Sequence, residues 1–271
     1  MNRSEYLMAL FNTLDGIPPQ DRIDAITEYQ EYFRIETEKG RFQGAIEFQG
    51  LSNDFKASDL VTDDFLLKLS SGNVRLDNIT VSNNMKLASS SGDFTVNGLK
   101  AANLILQSSS GYKKISNADI KEKFNINSTS GNTVMKNIKC QQPGIDSTSG
   151  DINIDGLKLD RISIKTMSGN VYVRDLEGDA QIEALSGNVN VSVKDAQHKI
   201  YIMASSGDIE LKMPTITGFT LDGRTITGKI KCDFNLDNKV TNDNILKGSY
   251  LGEDIQLNLK TTSGNINVKK R

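Results

Sequence analysis

Tryptophan is absent from this 271-residue chain, histidine occurs once, cysteine twice and proline four times. Aromatic residues make up 6% of it, which leaves little for a stacking platform for bases or sugars. The lone histidine, His198, lies in a polar stretch beside Lys199, where a surface loop is expected; a Ser-His-Asp triad would have to use it. Cys140 and Cys232 form no CxxC or other metal-ligand spacing, so neither a metal nor a cofactor is expected. No run of about 18 apolar residues occurs, so no helical membrane span is expected. The N-terminus has no apolar core of a signal peptide. Lys and Arg number 32 against 34 Asp and Glu, a formal net charge of −2. No basic run is interleaved with aromatics, and a nucleic-acid partner is not expected. By these absences the chain reads as soluble.

What the chain has in abundance is a repeat. Ser71-Gly72, Ser91-Gly92, Ser110-Gly111, Ser130-Gly131, Ser149-Gly150, Ser168-Gly169, Ser186-Gly187 and Ser206-Gly207 mark it, with a weaker Thr227-Gly228 and a last Ser263-Gly264. From Gly72 to Gly228 the successive glycine spacings are 20, 19, 20, 19, 19, 18, 20 and 21 residues; the last step, to Gly264, is 36, close to two periods. A fixed period of this size signals an array of stacked units.

Two and four residues after the glycine the chain is usually apolar, as in Val74 and Leu76, Ile152 and Ile154, Val189 and Val191. Seven and five before it the same holds, as in Phe65 and Leu67, Leu104 and Leu106, Ile200 and Ile202. A further apolar residue often falls seven after, such as Ile79, Leu99 and Leu157. Alternation of this kind marks strands with one buried face. Equivalent positions recur once per period, which fits parallel stacking rather than hairpins. The expected fold is mainly β: a single-stranded parallel β-solenoid of about ten ~19-residue coils, with a small N-terminal α-helical hairpin.

Three segments are expected: a helical hairpin over 1–40, a transition and N-terminal cap over 41–64, and the solenoid over 65–271. The hairpin rests on a helical stripe at Tyr6, Leu7, Leu10, Phe11 and Leu14, then a second helix from about Pro19 to Glu38. In the cap, Ala45, Phe48, Leu51, Phe55 and Leu60 would cover the first coil. Asp233 to Gly252 reads as a looped coil, and Lys269-Lys270-Arg271 would blunt the terminal edge with charge.

The Ser-Gly pairs read as a structural ladder. Glycine suits a repeated tight corner, and the Asn or Asp that follows it can bond the local backbone. By parity the serine shares the inward face with the small residue two before it (Ser89, Ser108, Ser128), so hydroxyls would bond up and down the column. Lys113 falls where an apolar residue is due and is expected to point outward through a bulge. Asp93, Asp151 and Asp208 share the corner column but lie two or three coils apart, too far for a carboxylate pair. No catalytic residue is assigned, and no ligand site.

The segments "SSGNVRL", "SSGDFTV", "TSGDINI", "MSGNVYV" and the closing "LGEDIQLNLKTTSGNINV" resemble the adhesin-like β-solenoid family of unknown function found in bacterial cell-envelope proteins. The opening "SEYLMALFNTLDGIPPQDRIDAITEYQEYF" resembles the short helical signalling module that precedes such solenoids. The resemblance implies envelope association and brings no catalytic residues. The expected role is a non-enzymatic, adhesin-like binding or scaffold protein with a protein or envelope partner. Self-association through the helices or the solenoid ends is a second reading, as in bactofilin filaments; a glycan-active enzyme is the third.

Overall fold

The computed structural model describes residues 34–36, 44–52, 54–196, 199–252 and 254–271. Its central coils are three-sided. In the strand Val74–Ser89 the inward residues come in three runs, Val74 and Leu76, then Ile79 and Val81, then Met85, Leu87 and Ser89. Bends at Asp77–Asn78 and Ser82–Asn84 separate the runs, and Ser-Gly closes the turn. Each coil pairs in parallel with the next in register: Val74 with Phe94, Phe94 with Lys113, Ile152 with Val171. About nine turns stack this way. At roughly 4.8 Å per turn they form a rod on the order of 45 Å long.

The core is one continuous column of Leu, Ile, Val and Phe, most of them almost fully buried. Each such side chain contributes about 1.5–3 kcal/mol relative to exposure, and none can be buried without the coil above or below. Aromatic clusters close the two ends. Phe48, Phe55 and Phe65 pack at 5.0 and 6.0 Å near the N-terminal end; Phe219, Phe234 and Tyr250 pack at 4.8–5.5 Å near the other.

Several sequence expectations are corrected. The expected helical hairpin falls almost wholly outside the described residues, which contain no helix. Where it does overlap them, Arg34–Glu36 is a strand paired in parallel with Phe55–Ser58, so the second helix does not run to Glu38. Residues 45–62 are themselves coil: Ala45–Ser52 pairs with Asp64–Ser71, and Phe55–Ser58 with Val74–Ser89. Edge pairing satisfies their backbone better than a loose cap could. Leu51, expected to cover the first coil, is exposed.

The far end departs most. After Ile209–Met213 the chain skips one layer, forms Phe219–Thr227 and Ile230–Cys232, and returns to fill the gap. The last coil, Ile255–Ser263 with Ile266–Lys270, lies between the two that precede it in sequence, pairing with Lys199–Ser206 and Ile209–Met213 on one side and with Phe219–Thr227 and Ile230–Cys232 on the other. The stretch expected as a looped coil is an antiparallel hairpin, Asp237–Asn242 with Ile245–Tyr250, laid along Phe219–Thr227. The hairpin therefore covers one strand of the terminal edge, Phe219–Thr227, whereas Lys269-Lys270-Arg271 belong to the coil beneath that edge. Arg271 is anchored inside the rod's length instead, bonded to the Met213 and Val193 carbonyls and to Asp175.

Candidate functional site

The Ser-Gly corner is built from three columns. The glycines of the ladder, Gly72 through Gly207 and Gly264, all have φ between 86° and 147°. A Cβ on Gly92 would lie 2.0 Å from the Gly72 carbonyl oxygen, and one on Gly111 would lie 2.1 Å from that of Gly92. Left-handed backbone and this close approach both demand glycine. The next residue forms an Asx ladder between coils, not the local bond expected from sequence. Asn73 Oδ1 accepts the Asp93 N–H at 3.0 Å, Asp93 Oδ1 that of Tyr112 at 2.7 Å, Asp151 Oδ1 that of Asn170 at 2.8 Å, and Asp208 Oδ1 that of Asn265 at 2.7 Å. Asn265 then accepts from Lys229 at 3.0 Å, which traces the exchanged order of the last two coils.

The serines do not face inward. Ser71, Ser91, Ser110 and Ser130 are half-buried, while Ser149, Ser168, Ser186, Ser206 and Ser263 are exposed. The tight glycine turn breaks the strand alternation on which parity relied. Ser110 and Ser130 donate to the Ser90 and Ser109 carbonyls of the preceding coil at 3.2 and 3.1 Å. Two residues earlier the side chains are buried. Their hydroxyls bond within the coil, Ser89 to the Ser91 carbonyl at 2.6 Å and Ser108 to that of Ser110 at 2.8 Å.

Lys113 does not point outward. It is fully buried under Phe94, and its Nζ donates to Ser128 Oγ and to the Ser130 and Gly131 carbonyls at 2.8 and 3.0 Å. Burial pushes its pKa down to about 8, against a smaller opposing pull from Asp93. The residue stacked on it, Thr133, is also buried, and its hydroxyl has no partner. Cys140 is a buried free thiol, and burial pushes its pKa up to about 12, which disfavours the thiolate. His198 lies outside the described residues. No group of three or more His, Cys, Asp or Glu among the described residues could hold a metal ion.

Beside this corner an open groove of about 780 Å³ runs along the rod from Lys68 to Met203. It crosses eight coils, roughly 34 Å. Its rim is the outward residue two before each glycine: Ser90, Ser109, Thr129 and Thr148 in four successive coils, then Met167 and Leu185. Met167 and Leu185 are 55% and 53% exposed and sit on neighbouring strands. Amides at Gln107 and Asn127 line the opposite side. Lys68 and Lys165 balance Asp146 and Glu183, and Lys165 pairs with Glu183 at 3.8 Å. The groove is thus a neutral strip of hydroxyls and amides that grades into aliphatic surface.

Inward positions dominate the sequence pattern, so this outward column is easily passed over. Its signal was there: a hydroxyl recurs two before glycine and then gives way to Met and Leu. A second unread column lies six after glycine. Asn78, Gly98, Asn117, Asn137, Gly156 and Asp175 all take positive φ, and Asn137 Nδ2 donates to Asn117 Oδ1 at 3.1 Å. These are residue types that tolerate the left-handed region.

The sequence profile of the Toastrack DUF4097 family matches residues 35–134 and again 121–269. No curated protein and no solved structure matches the chain. No described helix is long and apolar enough to cross a membrane.

Proposed function

Since the chain belongs to the Toastrack DUF4097 family of solenoids of unknown function, we propose that it is a non-enzymatic binding and scaffold rod of the bacterial cell envelope. The observation that carries this reading is the continuous groove along eight coils, a strip of hydroxyls and amides that passes into aliphatic surface on a stacked repeat. Repeat rods of this kind bind extended partners along their length. The corner carboxylates support the same reading, because Asp93, Asp151 and Asp208 are each engaged by the N–H of the next coil. The resemblance of the repeat motifs to envelope proteins supports the setting.

End-to-end assembly into filaments is less favoured. The hairpin Asp237–Tyr250 covers one edge strand of the last layer, and Phe234 and Tyr250 plug the end of the core. Incubation with purified bacterial cell wall tests the proposal. The protein should sediment with the wall and release no reducing ends. Failure to sediment would refute the binding role, and cleavage abolished by a single Asp substitution would refute the non-enzymatic one.

A further inference from the structure

The chemistry of the groove selects among extended partners. A peptide added as a strand needs free backbone N–H and C=O groups, and the floor offers few. The coils beneath it are joined by parallel ladders, and Ser109 N–H, Ser110 N–H and Ser130 N–H are bonded to the preceding coil. The groove also runs across the strands, not along an edge. A polyanion or polycation would meet two lysines and two acids with no net attraction. Hydroxyls and carboxamides, by contrast, each donate and accept, which matches ligand groups that do the same. Met167 and Leu185 offer a flat aliphatic surface in continuity with them.

We propose, building on the binding role above, that the groove holds a linear, uncharged glycan lying along the rod. Its hydroxyls bond the column Ser90, Ser109, Thr129 and Thr148, and its C–H faces lie on Met167 and Leu185. The groove has no aromatic platform, so each sugar is held weakly and affinity grows with the number of coils engaged.

The probe is an uncharged β-1,4-linked N-acetylglucosamine hexasaccharide, with its disaccharide and a poly(glycerol phosphate) chain for comparison, titrated calorimetrically into the intact protein. The hexasaccharide should bind at least about tenfold more tightly than the disaccharide. Two double variants, S109A/T129V and M167E/L185E, should each weaken it by about tenfold or more while keeping the wild-type melting temperature. These side chains point outward, and if one pair does unfold the protein the other still reads the site. Absence of hexasaccharide binding, equal affinity for the disaccharide, or binding unchanged in folded variants overturns the proposal. Binding of poly(glycerol phosphate) in its place also overturns it. Wall sedimentation persisting in either case would leave the broader binding role standing, and loss of both would remove the two together.

Discussion

Tyr112 interrupts a column of Asn and Asp side chains, each of which accepts a hydrogen bond from the coil above. A phenol offers no acceptor at that point, whereas an Asn there would reach the Asn132 N–H as its equivalents do. Tyr112→Asn should raise stability by about 1 kcal/mol, read as an increase in the denaturation midpoint. The glycines beside it tolerate nothing larger. Gly111→Ala combines an unfavourable φ of 106° with a carbonyl 2.1 Å from the new Cβ, so it should cost more than about 2 kcal/mol. Lys113 gives a pH signature. Its folded pKa of about 8 lies below its usual 10.5, so between these values the unfolded chain binds more protons. Stability should therefore rise with pH across about 8 to 10.5, by roughly 3 kcal/mol at most. Lys113→Met should abolish this rise and stabilise the protein near neutrality, because a buried charge is replaced by an apolar side chain of similar length. Equilibrium unfolding of both proteins from pH 7 to 10 checks it; parallel curves would show that the ammonium does not titrate in the core.

Among the elements, the last coil is the one whose place could not be read. Stacking demands the same inward residues in every layer, so the period is plain in the sequence. For the same reason the layers are interchangeable on paper: Ile209 and Leu211 could lie against Ile230 and Cys232 or against Ile266 and Val268. The structure chooses the second. A clue lay in the 36-residue glycine spacing, which read as two periods and is in fact one layer plus a hairpin. The second helix was drawn too far, over Arg34–Glu36, because helical spacing alone does not show that an open strand edge, Phe55–Ser58, lies beside that segment to pair with it. Lys113 misled because a lysine stem fits an apolar column when corner carbonyls receive its head. Filling the gap late makes the final coil a keystone. Truncation after Gly252 should strip both neighbours of their parallel partners and expose Ile200, Leu257-facing surface on Leu221 and the end of the core. The expected result is early hydrogen exchange from 199 to 232 with residues 74–170 still protected; uniform protection would contradict the intercalated order.

For the whole molecule, the rod and the groove are two consequences of one repeat. Inward columns supply the core, corner columns fix the pitch, and the outward column beside the glycine becomes a strip of hydroxyls that gives way to aliphatic side chains. The fold was legible because burial constrains inward residues tightly. The groove was not, because outward residues are free to vary and only their stacking gives them meaning. All of this depends on the corners lying over one another in parallel register. Spin-label distances test that directly, with one label fixed at Ser90 and the other moved through Thr129, Met167 and Ser205. The account predicts separations that climb steadily by about 4.8 Å per coil, to roughly 10, 19 and 29 Å. Distances that do not grow with the number of intervening coils would contradict it.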